Sequence, residues 1–214
     1  MLDIRRITVG AWQINCYVVS DENKRCILID PGEDPAGIDE ELIIPAGLTP
    51  IAMLATHGHL DHIGGARYFN EKYAIPLYVH ADDVQLANHA TYWAEVLRTP
   101  GITNPSQIVP YDSDSITIEN FAFDIVHTPG HTAGGCCLHL KDKASVFTGD
   151  TLFFHTIGRT DRPGLDSGGG HEVLVNAIKT RLFKLPGNTI VYPGHGIHTT
   201  IDHEREHNPA LLFD

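Results

Sequence analysis

Apolar residues fall along the chain in short runs separated by turn residues, a pattern of strands with helices between them. Residues 14–19 and 26–29 read as two strands of a hairpin, with the polar stretch 20–24 as its turn. Asp30-Pro31-Gly32 closes the second strand. A helix over residues 36–44 is stopped by Pro45 and Gly47. A buried strand at 51–55 runs into a helix from about residue 63 to 73, followed by a strand at 76–79. Residues 82–97 are loosely helical, and 99–106 read as a loop. The second half repeats the scheme. It has strands at 116–118, 121–126, 136–140 and 145–147, then a glycine-rich charged loop over 155–170. A helix over 172–184 places Val173, Leu174, Ala177, Ile178 and Leu182 on one side, and a strand follows at 189–192. The polar tail is helical up to Asn208, because Pro209 disfavours helix at the residue before it. Strands then helices, twice over, predict two β-rich halves with helices outside. The expected class is α+β, with two sheets packed together and covered on their outer faces, in a single domain over residues 1–214.

The polar residues that interrupt this pattern are chemically unusual. Thr56-His57-Gly58-His59-Leu60-Asp61-His62 sits between a strand and a helix, where a loop on a rigid scaffold aims side chains at one point. His57 and His59 are two apart and point the same way in extended backbone. Asp61 and His62 are adjacent and point differently, which suits the start of a second site. A polar loop at a helix start accounts for Asp61 as a dipole partner, but not for three histidines beside it. His131, Asp150 and His195 each also follow a short apolar run, and Pro-Gly-His occurs at both 129–131 and 193–195. Imidazoles with carboxylates suit zinc, iron or manganese better than magnesium or calcium. Five histidines and two aspartates exceed the needs of one tetrahedral ion and match those of two.

Composition narrows the partners. Fifteen basic residues stand against 27 acidic ones, for a formal charge of −12, so a nucleic-acid backbone is a poor ligand. No apolar run reaches the roughly 18 residues of a membrane span. The charged start, Met1 to Arg6, does not read as a secretory signal. Cys16, Cys26, Cys136 and Cys137 lie in apolar strand-like runs with no CxxC spacing. Buried free thiols in a reducing cytoplasm are expected.

The motif His57-x-His59-x-Asp61-His62, with His131, Asp150 and His195, resembles the ligand pattern of the metallo-β-lactamase superfamily over essentially the whole chain. Asp30-Pro31-Gly32, Thr148-Gly149-Asp150 and Tyr192-Pro193-Gly194-His195-Gly196 match further signature turns. Gly158-Arg159-Thr160-Asp161 and the Glu204-Arg205 and Asn208-Pro209 pairs resemble the hydroxyacylglutathione hydrolase (glyoxalase II) branch. The resemblance implies an αββα sandwich with the site along one edge of the sheets. It implies a first metal on His57, His59 and His131, a second on Asp61, His62 and His195, and Asp150 bridging them. Zinc is the expected ion, with iron or manganese as alternatives. Asp61 would orient the attacking hydroxide. Two divalent ions outweigh two aspartates and a hydroxide, so the site would accept an anionic thioester despite the acidic chain.

Cysteine is typical of true β-lactamases at the Asp150 position, so the chain departs from them. It also lacks a basic C-terminal stretch of the kind that holds glutathione in longer glyoxalase II enzymes. Only Arg205 is basic among the 19 residues after His195. A mononuclear-iron persulfide dioxygenase and a lactonase are the competing activities. Asp30 is expected to hold a ligand histidine, and Arg159 to pair with Asp161 beneath the metal site. Tyr92 and Trp93 with the loop 99–106 are candidates for the pocket mouth or for helix core. Of the other nine histidines, His155 and His198 are the ones to check for nearness to the site.

Overall fold

The computed structural model describes residues 2–212, so Met1, Phe213 and Asp214 of the expected domain lie outside it. It divides into two compact units, residues 1–111 and 112–214. The first holds a six-stranded sheet in the order β1 (Asp3–Val9), β2 (Ile14–Ser20), β3 (Arg25–Ile29), β4 (Thr49–Leu54), β5 (Leu77–His80), β6 (Ile108–Tyr111). Short turns join β1 to β2 and β2 to β3, so those pairs are antiparallel; helical crossovers join the rest, which are parallel. β1 and β6 are the edges, and neither stands out in the apolar pattern. β1 carries Asp3, Arg5 and Arg6, and β6 carries Pro110. Charge and proline are what blunt a sheet edge, so they also erase its signal.

The helix expected over 36–44 is one α turn, α1 (Pro35–Ile38), continued by a π-helical turn over Asp39–Ile43. The Asp34 carboxylate caps α1 by accepting from Gly37 N–H at 3.0 Å. The helix expected over 63–73 is split into α2 (Leu60–Ile63) and α3 (Ala66–Tyr73). At the break the Gly65 N–H turns to the Gly32 carbonyl, and a Cβ on Gly65 would lie 2.8 Å from the Pro31 carbonyl oxygen, so the Pro31-Gly32 turn approaches too closely for a side chain. The loosely helical stretch 82–97 becomes α4 (Val84–Ala87) and α5 (Ala90–Leu97), broken at Asn88-His89.

Asp39 is fully buried and accepts hydrogen bonds from Tyr68, Tyr73 and Lys72. Burial pushes its carboxyl up, but these donors and the Lys72 charge bring it below the usual carboxylate range. A depressed folded-state pKa stabilises the protein above the unfolded value of about 3.9, and the gain is lost as pH falls through the folded value. Asp39→Asn should therefore cost about 1–3 kcal/mol at pH 7. Urea unfolding should show the gap to the parent closing below about pH 4; a gap constant with pH would refute the charge-based account.

The second unit holds β7 (Ser115–Ile118), β8 (Phe121–His127), β9 (Cys136–Leu140), β10 (Ser145–Gly149), the hairpin β11 (Leu152–Phe153) and β12 (Thr156–Ile157), α6 (His171–Thr180), β13 (Ile190–Pro193), β14 (Thr199–Thr200), α7 (Ile201–His207) and α8 (Pro209–Leu212). Its sheet runs β14-β13-β10-β9-β8-β7, with only the β10–β13 pair parallel. Leu174 and Ile178 of α6 pack with Cys137, Val146, Val191 and Ile201, as the apolar side of that helix predicts, and Ala177 and Leu182 are buried too. Val173, expected on the same side, is 38% exposed, and Val175 takes its place in the core. The helix ends earlier than expected, at Thr180, and a 3-10 turn over Leu182–Lys184 completes the stretch. β11, β12 and β14 are two residues each, too short to carry a periodic signal.

Gly130 shows how tightly α6 is seated. Its φ is +141°, and an added Cβ would lie 2.3–2.5 Å from Leu174 Cβ, Cα and N. Gly130→Ala should lose about 1–3 kcal/mol or more through overpacking and strain. A denaturant midpoint unchanged from the parent would contradict this packing.

The four cysteines are free and buried, as expected. Burial pushes the Cys16 thiol well up, Cys26 to about 12 with help from Asp21, and Cys137 to about 11. Such thiols are inert at neutral pH. Among the described residues no helix is long and apolar enough to cross a membrane.

Candidate metal centre

In the first unit the ligand motif leaves β4 in extended form and enters α2 at once. His59 is the N-cap, with φ −69° and ψ 145°, and Asp61 and His62 lie in the helical turn. All four donors are buried. They fall into two pairs. His57 Nε2 and His59 Nδ1 are 3.1 Å apart, and His62 Nε2 is 3.7 Å from Asp61 Oδ2.

Supporting groups set the histidine tautomers. Asp30 lies at the end of β3, is buried, and has φ +50°. It accepts from Thr56 N–H at 2.8 Å, from the Thr56 hydroxyl at 2.8 Å and from His62 Nδ1 at 3.0 Å. A carboxylate only accepts, so His62 carries its proton on Nδ1 and keeps a lone pair on Nε2. The Thr56 proton is committed to Asp30. Its oxygen therefore accepts from His57 Nδ1, 3.1 Å away, which leaves a lone pair on His57 Nε2. The expected role of Asp30 is thus met, and extends to a second histidine. Asp83, which the sequence reading passed over, accepts from Gly58 N–H at 2.8 Å and pins the loop between the first two ligands.

In the second unit His131 follows β8, Asp150 follows β10 and His195 follows β13. The two oxygens of Asp150 address different imidazoles: Oδ2 is 3.5 Å from His131 Nε2, and Oδ1 is 3.6 Å from His195 Nε2. The Arg159 carbonyl accepts from His131 Nδ1, so His131 too presents Nε2 as its lone-pair nitrogen. Asp166 backs the same ring at 3.8 Å. Its side chain is buried and is held by Arg162 through Nη2 at 3.0 Å and backbone N–H at 2.8 Å. Asp166 was not anticipated; a carboxylate in a glycine-rich loop carries no mark of burial. The Arg159–Asp161 pair forms at 3.0 Å, but the side chains are 68% and 70% exposed. It is a solvated surface pair of small energetic weight, and Arg159 serves the site through its main chain instead.

This donor set fits divalent metal. Two imidazole nitrogens on one tetrahedral ion with bonds of about 2.0–2.1 Å lie roughly 3.3 Å apart, close to the 3.1 Å between His57 and His59. His62 and His131 share three further features of ligand histidines: a proton fixed on Nδ1, a backing carboxylate or carbonyl, and burial.

The sequence profile described as "Metallo-beta-lactamase superfamily" matches residues 9–195. The chain belongs to that superfamily. As a superfamily member it is a metal-dependent hydrolase with a metallo-β-lactamase fold. It is 33% identical to the hydroxyacylglutathione hydrolase GloC of Haemophilus influenzae, over 98% of each chain. Its fold superposes on the crystal structure of the B3 metallo-β-lactamase BLEG-1 with a TM-score of 0.88 and 35% identity, covering 98% of this chain and 100% of that one. The crystal structure of TTHA1623 in a di-iron-bound form matches with a TM-score of 0.84 and 34% identity, covering 96% and 98%. The α+β class read from the sequence is therefore correct.

Two further features concern residues outside the ligand set. Arg205 donates to Asp202 Oδ1 at 2.7 Å and to the Phe183 and Leu185 carbonyls at 2.6 and 3.4 Å. Its charge is engaged in closing the turn after α6. In the first unit a cavity of about 500 Å³ is lined by Ala94, Glu95, Arg98, Thr99 and Ile102 among others. Residues 99–102 of the expected loop line it, but Tyr92 and Trp93 do not: Tyr92 is 55% exposed, so it is not helix core, and Trp93 is half-buried.

Proposed function

We propose that the chain is a thioester hydrolase of the hydroxyacylglutathione hydrolase type, working with two divalent ions. His57, His59 and His131 hold one ion, Asp61, His62 and His195 hold the other, and Asp150 bridges. The observation that carries the two-ion reading is the carboxylate of Asp150, whose separate oxygens each address one histidine. Support for the thioester comes from the likeness to GloC along both chains. When bound, such an ion pair supplies a reactive hydroxide at neutral pH and polarises the carbonyl.

The chain's own residues do the rest. Asp30, Thr56 and the Arg159 carbonyl keep His57, His62 and His131 in the tautomer that leaves Nε2 free to bind. Asp61 Oδ accepts a hydrogen bond from the attacking water and aims it at the carbonyl carbon. The substrate is a small anionic thioester. Arg205 is engaged with Asp202 and the Phe183 carbonyl, so we do not assign it to the thiol part of the substrate. Zinc is the ion we assign, with iron the alternative raised by the di-iron relative. The free buried cysteines favour the cytoplasm, and the acidic chain disfavours nucleic acid. The match through residues 9–195 favours a single domain.

The test loads the protein with zinc, iron or manganese and offers S-lactoylglutathione, other acyl thioesters, a lactone, a β-lactam and a glutathione persulfide. Thioester turnover with two ions per chain is expected. Lactam cleavage alone, or one iron with oxygen uptake on the persulfide, would overturn the reading.

A further inference from the structure

The second unit holds another group of metal-capable side chains, outside the family's ligand motif. The turn of the β11–β12 hairpin is Phe154-His155, and His155 has φ +60°. His203 lies in the first turn of α7. Their Nε2 atoms face each other at 2.8 Å, although the residues are 48 apart in sequence. The rings are close to parallel, at 5°. Two imidazole nitrogens so placed share either one proton or one cation. A third donor, the carboxylate of Glu204, lies within 4.8 Å of both. Glu204 is fully buried. Its Oε1 accepts from the Thr199 hydroxyl at 2.6 Å, and its Oε2 from Asn208 Nδ2 at 2.8 Å and His155 N–H at 2.9 Å. A carboxylate offers about four lone-pair positions, so one remains for an ion. Beside the group opens a cavity of about 400 Å³ lined by Phe154, His198, Thr199, Thr200 and His203, which leaves room for water ligands or the His198 ring.

We propose that His155, His203 and Glu204 form a further site for a borderline divalent ion such as zinc, nickel or copper. Two imidazoles and one carboxylate select these over magnesium and calcium. The ion replaces the shared proton and clips the β11–β12 turn to α7. One end of that clip borders the ligands: β11 follows Asp150, and its Phe153 ring lies 6.1 Å from the His195 ring. A bound ion here therefore steadies the hairpin beside both residues.

The experiment counts ions per chain in tag-free protein equilibrated with zinc, by native mass spectrometry and elemental analysis. The parent should hold one ion more than His155→Ala and His203→Ala. It should also gain thermal stability as that ion binds, and neither variant should show this gain. Circular dichroism checks that the variants fold. His207→Ala should behave as the parent, although His207 stacks on His203 at 4.9 Å. Equal ion counts in parent and variants would mean that the imidazoles share only a proton, and would overturn the site. So would loss of the ion in His207→Ala but not in His155→Ala. The count is independent of thioester turnover, so its failure is distinct from failure of the proposed activity.

Discussion

Asp150→Ala is expected to reduce kcat/KM on the best thioester by about 10³-fold or more, roughly 4 kcal/mol of transition-state stabilisation. The change removes both oxygens that address His131 and His195, and with them the negative charge that would hold two cations together in the proposed site. Metal content should fall below two ions per chain in the same samples. Asp150→Asn keeps one oxygen acceptor and loses the charge, so it should retain more metal than the alanine variant and still lose most activity. Folding should be nearly unchanged, because α6 and the sheet of the second unit pack without this side chain. Turnover within tenfold of the parent, with two ions still bound, would exclude the bridging role.

Asp30→Asn is expected to weaken metal binding by about 10- to 100-fold while changing stability little. Asparagine tolerates the left-handed backbone at this position, and its carbonyl oxygen still accepts from Thr56. Its amide nitrogen, however, donates to His62 Nδ1 and so moves the imidazole proton onto Nε2, the nitrogen that should face the ion. Asp30→Ala removes all three hydrogen bonds and leaves Thr56 N–H buried. It should cost a further 1–3 kcal/mol of stability, approximately. Competition with a chelating dye reads the affinity, and urea unfolding reads the stability. Equal effects of the two variants on both measurements would mean that Asp30 acts only as packing.

These two residues mark how far the sequence could be read. Asp150 stood out because it closes an apolar strand and matches a ligand pattern, as did His57, His59, Asp61, His62, His131 and His195. Asp30 was legible as a turn carboxylate with a histidine to hold. Asp83 and Asp166 were not legible. Each is an aspartate among ordinary loop or helix residues, and its role exists only because Gly58 or His131 is folded against it. The Arg159–Asp161 pair shows the converse. The sequence shows two complementary charges two residues apart, and only exposure reveals that they lie in solvent.

Secondary structure divides in the same way. The central strands β2, β3, β4, β9 and β10 are mostly buried and rich in apolar residues, because a strand buried on both faces needs them. That demand is local, so it is written in the sequence. The edge strands answer to solvent, and the split between α2 and α3 to the Gly32 carbonyl, which takes the Gly65 N–H. The burial of Asp39 depends on Tyr68, Lys72 and Tyr73, about thirty residues further along the chain. The sequence by itself thus determined the family, the class of fold and the chemical types of the ligands, which depend on side-chain chemistry and short spacing. The tertiary structure alone decided which ring nitrogen holds the proton, which carboxylates are buried, and that His155 meets His203, since each depends on atoms brought together from distant segments.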